Sequence, residues 1–258
     1  MQSALEEFLA SGVLAFMLTF MRIGTAAMVM PGIGDSFVTS RVRLHIALAL
    51  SFVLTPIVMP YIPSPMPQLF ALVHMIVIEM IIGLLMGTIA RIFVIALDTA
   101  GMVISAQSGL ANAQVFNPTE ATQGSIIGSL LTMTAAVLIF VTNLHHMLIM
   151  GFVESYQMFP MGVMPDTGSL AELMTKAVST SFNIGVKLAS PFIVMMLLVY
   201  VGMGVLSRLM PQLQVFLVIL PLQILMSIVL LGLVFAAIMG AWIVHYQSAI
   251  LFFFSGSG

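Results

Sequence analysis

Long apolar runs alternate with short polar breaks along this chain, and the breaks mark out its elements. The pattern predicts a first helix from about Leu5 to Met30. It stops at Pro31-Gly32, and Gly34, Asp35 and Ser36 make a turn before Arg41 and Arg43. A second helix covers about Leu44 to Met59 and ends in Pro60, Pro63, Pro65 and Pro67, a stiff extended connector. The third, about Gln68 to Ser105, is longer than a perpendicular bilayer crossing requires. It tilts, projects beyond the bilayer, or breaks near Gly101.

Between residues 105 and 125 the pattern changes. SAQSGLANAQVFNPTEATQGS carries Gln107, Asn112, Gln114, Asn117, Thr119, Glu120 and Gln123, with Gly109, Pro118 and Gly124 as breakers, so it reads as a loop. Leu110, Val115 and Phe116 give it an apolar tip that a solvent-facing connector would not need. A fourth helix then takes about Ser125 to Phe152, followed by a second connector, ESYQMFPMGVMPDTGS, with Glu154 and Asp166. The fifth helix, about Leu170 to Leu209, carries Lys187 and an interior Pro191 that should kink it. A tight turn at Met210-Pro211-Gln212 leads into the sixth, about Leu213 to Phe254, bent again at Pro221.

Composition turns these helices into membrane helices. Of 258 residues, 61% are hydrophobic and only 6% charged, with a mean hydropathy of +1.19, whereas about a quarter of the residues in soluble domains are charged. A hydrocarbon core needs about 20 apolar residues per helical span, and the runs suffice for about six. The expected fold is therefore all-α, a polytopic membrane-type protein of about six long kinked helices in a single helical domain over residues 1–258. The net charge of −2 is thinly spread and forms no basic patch, which sets nucleic acid aside. Arg41, Arg43, Arg91 and Arg208 fall at odd-numbered connections, so the positive-inside rule places both termini outside. Glu6 and Glu7 stand where a signal peptide would carry basic residues, so the N-terminus reads as a retained start of the first helix. The final Ser-Gly-Ser-Gly, residues 255–258, has linker composition.

Few residues offer chemistry. Arg22, Glu79 and Lys187 lie inside apolar helices, where a charge at the membrane centre costs roughly 2.5 to 3.5 kcal/mol on insertion scales, so each must face a partner or water. Arg91 and Asp98 stand two turns apart on nearly one face and are candidates for separate partners on a buried stripe. An ion pathway and a set of cross-helix pairs both satisfy these observations. Methionine is abundant, 24 residues, and Met158, Met161 and Met164 are spaced MxxMxxM near His145 and His146. Thioethers select Cu(I), which keeps a copper permease or a proton-coupled solute transporter open; flexible filling of irregular packing is the other use of methionine. There is no cysteine. His45, His74, His145, His146 and His245 are scattered and no hydrolase, zincin or phosphate-loop motif is present, so neither catalysis nor a cofactor is expected. Gly83-x-x-x-Gly87, Gly124-x-x-x-Gly128, Gly202 and Gly204 allow close helix approach, with other subunits among the possible partners.

The run YVGMGVLSRLMPQLQVFLVILPLQIL, Tyr200 to Leu225, resembles the signature of the FliR family, a membrane component of the flagellar export gate whose injectisome relatives are called SctT. The resemblance lies in Leu206-Ser207-Arg208, Pro211-Gln212, Val215-Phe216 and Pro221-Leu222. Met21-Arg22, Pro31 and Arg41-Val42-Arg43-Leu44 also match, as does the central loop SGLANAQVFNPTE, and the likeness covers essentially the whole chain.

That resemblance implies a channel-forming subunit that passes unfolded export substrates across the bacterial inner membrane at the base of the flagellum, driven by its partners. It implies a hetero-oligomer with FliP and FliQ, with FlhB wrapped around the entrance and FlhA nearby. Residues 1–165 would be FliP-like and 166–254 a FliQ-like hairpin. The central loop would plug the channel through Gly109, Leu110, Val115, Phe116, Asn117 and Pro118, with Gly109 and Gly124 as hinges. Arg208, Pro211, Gln212 and Gln214 would contact partners at the cytoplasmic end. Arg22, Glu79, Arg91, Asp98 and Lys187 would pair between helices or subunits, in helices largely lifted out of the bilayer plane. An injectisome subunit is the neighbouring alternative.

Overall fold

The computed structural model describes residues 2–62, 68–110, 125–210 and 215–254. Helix α1 is Gln2–Val29, α2 Ser40–Val58, α3 Leu69–Gln107, α4 Ile126–Val141, α5 Leu144–Met158, α6 Thr167–Leu209 and α7 Val215–Phe254, with a short 3-10 turn at Met59–Tyr61 after α2. Among the described residues there is no strand. Among the described residues five helices are long and apolar enough to cross a membrane, and α4 with α5 forms a bent pair of matching apolarity, a broken sixth span or a re-entrant loop. The protein is an all-α, polytopic membrane-type protein.

Helices α2 and α6 begin a few residues earlier than the pattern reading places them, at Ser40 and Thr167, and three further boundaries differ. The expected fourth helix is two, α4 and α5, which meet at an angle of 75°. Neither proline nor glycine stands at the break. Asn143 adopts a left-handed conformation at φ 59, which asparagine tolerates better than most side chains. The second connector begins only at Phe159, because residues 154–158 finish α5. Helix α3 shows no break at Gly101 and runs through Ser105 to Gln107, so the polar segment starts later than its composition suggests.

The apolar positions explain which faces are covered. Along α1 the buried residues come in pairs every turn: Leu14-Ala15, Leu18-Thr19, Arg22-Ile23 and Ala26-Ala27. Along α3 they run Ile78-Glu79, Ile82-Gly83, Met86-Gly87 and Ile89-Ala90. Both stripes follow the 3.6-residue period, and each carries one charged residue. Hydroxyls within the helices mostly satisfy themselves: Ser51, Thr55, Thr88, Thr99, Thr134 and Thr142 each donate to the carbonyl four residues earlier.

The chain divides into two compact units. The first comprises residues 1–93, 136–177 and 247–258, and its core joins Leu14, Leu18, Val58, Met75, Tyr156 and Met161. The second comprises residues 94–135 and 178–246, with Phe192, Met196 and Trp242 among its most deeply buried side chains.

Candidate functional site

In the first unit, Arg22 lies on the buried stripe of α1 and is fully covered. Its Nε donates to Glu79 Oε2 at 2.6 Å and its Nη2 to Glu79 Oε1 at 3.0 Å. The planar fork of a guanidinium matches a carboxylate in this two-bond geometry. The remaining donors turn to α5: Nη1 reaches Ser155 Oγ at 3.1 Å and Nη2 the carbonyl of Phe159 at 3.0 Å. Phe159 is the cap residue that ends α5, so a cation sits where helix carbonyls lack intrahelical partners. The ring of Tyr156 lies under the guanidinium, 3.8 Å from Cζ. One side chain of α1 thereby ties α3 and α5 together, and its charge is neutralised inside the protein.

Glycine lets the helices come close enough for this. A Cβ on Gly83 would overlap the carbonyl of Arg22 and the hydroxyl of Thr25, and one on Gly87 would lie 2.7 Å from the carbonyl of Ala26. The Gly83-x-x-x-Gly87 spacing is therefore the seam between α1 and α3.

Arg91 is paired elsewhere. Its Nη2 lies 3.2 Å from Asp35 Oδ1, with the two side chains 37% and 23% exposed, and its Nη1 donates to the carbonyl of Val29 at the end of α1. Asp35 Oδ2 accepts the amide of Gly32 at 2.7 Å, and Arg43 Nη2 donates to the Asp35 carbonyl at 2.6 Å. The α1–α2 turn is thus clamped from α2 and α3 together. Gly32 sits at φ 84, and a Cβ there would lie 2.7 Å from the ring of Phe140.

In the second unit, Ser125 precedes α4 and forms the base of the polar segment. Its Oγ accepts the amide of Gly128 at 3.0 Å, donates to the carbonyl of Gly101 at 2.9 Å and contacts Ser105 Oγ at 2.7 Å. A Cβ on Gly101 would overlap the backbone of Gly128, and one on Gly128 would meet Asp98 Oδ1 at 2.5 Å. Asp98 is half-buried and has no partner among the described residues. Gly109 caps α3 at φ 76, its amide donating to the Ala106 carbonyl, and Leu110 is partly covered.

Val115, Phe116, Asn117 and Pro118, with Gly124, lie outside the described residues, as do Pro211, Gln212 and Gln214. Arg208 is exposed near the end of α6 and Lys187 is exposed on its flank. The methionine spacing does not gather its thioethers: Met161 belongs to the core of the first unit, Met158 ends α5, and Met164 is 47% exposed. The rings of His145 and His146 lie tilted against each other, centroids 4.1 Å apart and planes 36° apart, beside the α4–α5 break. Among the described residues no three His, Asp or Glu side chains converge on a metal-sized site.

Pattern reading singled out Arg22, Glu79 and Arg91 but not their companions Asp35, Ser155 and Tyr156, nor the separate pair Ser105 and Ser125. Ser125 carries a usable signal, a serine directly before an apolar helix. The others are joined only by chain folding and leave no local trace.

The tail of α6 is different in kind. From Leu197 to Met210 no residue is buried, and Leu198, Val201, Val205 and Leu209 are exposed at 68%, 61%, 55% and 72%. Cβ atoms on Gly202 and Gly204 would meet nothing within 4 Å.

Long apolar helices, an internally neutralised charge pair and a bare helix tail define a polytopic membrane protein of the kind whose surface is covered by lipid or other chains. Residues 13–249 match the family of bacterial export proteins, family 1, and the chain belongs to that family, which includes FliR. It is similar to the flagellar biosynthetic protein FliR of Caulobacter vibrioides, 36% identical over 231 residues, or 89% of this chain and 92% of the relative. It is also similar to FliR of Bacillus subtilis, 30% identical with 84% of each chain covered. The Yop proteins translocation protein T of Yersinia pestis is 31% identical over 156 residues, 60% of each chain.

Proposed function

We propose that this chain is a channel-forming subunit of a flagellar type III export gate, which passes unfolded export substrates across the inner membrane at the base of the flagellum with energy supplied by its partners. The role is transport rather than catalysis. The observation that carries the reading is the bare tail of α6, where apolar side chains and two glycines face open space. Lipid has no need of a small-residue notch, whereas a second helix does. FliP and FliQ homologues are the proposed occupants, with residues 1–165 acting as a FliP-like part and 166–254 as a FliQ-like hairpin. FlhB and FlhA would stand close by, and Arg208, Pro211, Gln212 and Gln214 would meet partners at the cytoplasmic end.

The flagellar form is favoured over the injectisome form because the Caulobacter relative named for flagellar biosynthesis is both more identical and aligned over more of the chain than the Yersinia one. In this reading the segment from 105 to 125 plugs the idle channel, and Gly109, Leu110, Val115, Phe116, Asn117 and Pro118 provide its seal. A pore must hold back ions when no substrate fills it, and a narrow apolar constriction does so by excluding water. Co-expression with FliP and FliQ homologues tests the assembly. A stable complex that survives detergent extraction and size exclusion is expected, and recovery of this chain alone would overturn the reading.

A further inference from the structure

The two flanks of the proposed plug segment meet at one point. Ser125 Oγ has one proton, and it goes to the carbonyl of Gly101. The contact with Ser105 Oγ is therefore donated by Ser105. With the amide of Gly128 as second donor, the Ser125 hydroxyl fills its capacity of one proton given and two accepted. Ser105 and Ser125 are only 6% and 5% exposed. Opening the contact would strand buried polar groups without replacements. The Gly101–Gly128 approach beside it is backbone against backbone, with no side chain that could rotate aside. On the α3 flank, Ser108 Oγ donates to the Ser105 carbonyl at 3.1 Å, and Gly109 closes the helix in the left-handed conformation.

We infer that Ser105, Ser125 and the Gly101 carbonyl form a static clasp: Ser105 and Ser125 are positioning residues that hold the flanks of the plug segment together throughout transport. The clasp rests on the plug reading above. The clasp keeps α3 and α4 packed against each other at the base of the segment while substrate passes. A latch that opens at each transport event is the competing behaviour, and the two differ in what a covalent bridge would do.

The absence of cysteine from the chain makes that bridge selective. In S105C/S125C the two sulfurs replace oxygens 2.7 Å apart, within a small adjustment of the roughly 2.05 Å of a disulfide. Diamide is the oxidant: the two thiols lose two protons and two electrons to form the S–S bond, and diamide takes up both to become the hydrazine. The experiment uses the full-length variant in the assembled apparatus of living cells, and reads bridge formation, substrate released into the medium and ion leak across the membrane.

Bridging is expected to be near complete, with export within twofold of the reduced cells and no added leak. Export that stops on oxidation and returns with reductant would overturn the static clasp, and so would failure of the bridge to form. Ser125→Ala is expected to raise ion leak severalfold at unchanged membrane abundance, with Ser125→Thr restoring the seal because it keeps the hydroxyl. A wild-type leak in Ser125→Ala would deny the clasp its positioning role. Deleting residues 109–120 separates the two readings. A membrane that stays tight after that deletion removes the plug, while bridge yield and export in S105C/S125C still decide whether the flanks stay joined.

Discussion

Arg22 holds Glu79 through two parallel hydrogen bonds, Nε to Oε2 at 2.6 Å and Nη2 to Oε1 at 3.0 Å, and neither side chain is accessible to solvent. Replacing one partner leaves the other charged, buried and unmatched. Arg22→Met or Glu79→Leu alone is expected to destabilise the protein by about 3 to 5 kcal/mol. The double variant R22M/E79L should recover most of that loss, because an apolar pair removes the desolvation cost together with the attraction. Thermal unfolding in detergent measures both. A double variant no better than the singles would mean that Ser155 and Phe159 depend on Arg22 more than Glu79 does.

Gly83→Ala tests the seam between α1 and α3. The added methyl overlaps the Arg22 carbonyl and Thr25 Oγ1, so the helices must separate, at a cost of about 1 to 3 kcal/mol. A lowered melting temperature is the expected result. Unchanged melting would show that α1 can slide without penalty.

Gly202→Leu and Gly204→Leu separate assembly from stability. Nothing lies within 4 Å of a Cβ at either position, so melting of the isolated chain should not fall and should rise by up to about 1 kcal/mol as a helical glycine is replaced. Recovery of the complex with FliP and FliQ homologues should fall severalfold. Wild-type recovery would assign this face to lipid.

Asp166 caps α6, its Oδ2 accepting both the amide and the hydroxyl of Ser169 at 2.9 Å. The amide bond first, and the hydroxyl bond after it, hold the carboxyl below the usual aspartate value. A depressed folded value means that the stabilisation is fully present above the unfolded value, about 3.9, and is lost as pH falls through the depressed one. Melting followed from neutral pH to below about pH 4 should show this loss in wild type and a flatter profile in Asp166→Asn. Parallel profiles would mean that the cap contributes nothing pH-dependent.

How much of this was legible beforehand depends on distance along the chain. The six apolar runs announce their helices because each carries its own period and stop signals. The stripes of α1 and α3 already place Arg22 and Glu79 among residues destined for burial. Their mutual geometry is not legible, since the contact joins residues 57 positions apart. The partner of Arg91 escaped for the same reason: Asp35 reads as an ordinary turn residue until α3 is laid beside the α1–α2 turn. The break between α4 and α5 was missed because the usual breakers are absent. A single asparagine in the left-handed conformation does the bending, inside a short polar cluster of Thr142, Asn143, His145 and His146 that is a weaker signal than proline or glycine.

That break arrives with its own hydrogen-bond partners. Thr142 Oγ1 donates to the Leu138 carbonyl at 2.7 Å, the amide of Asn143 reaches the Phe140 carbonyl, and His145 Nδ1 approaches the Ile139 carbonyl at 3.3 Å. The Leu138 carbonyl keeps its backbone bond from the Thr142 amide as well, and the His145 ring stands at the Ile139 carbonyl, the one that the amide of Asn143 would have met in a straight helix. The corner is thus held by bonds that residues 138–146 make among themselves, and its shape is a local property of that stretch of chain.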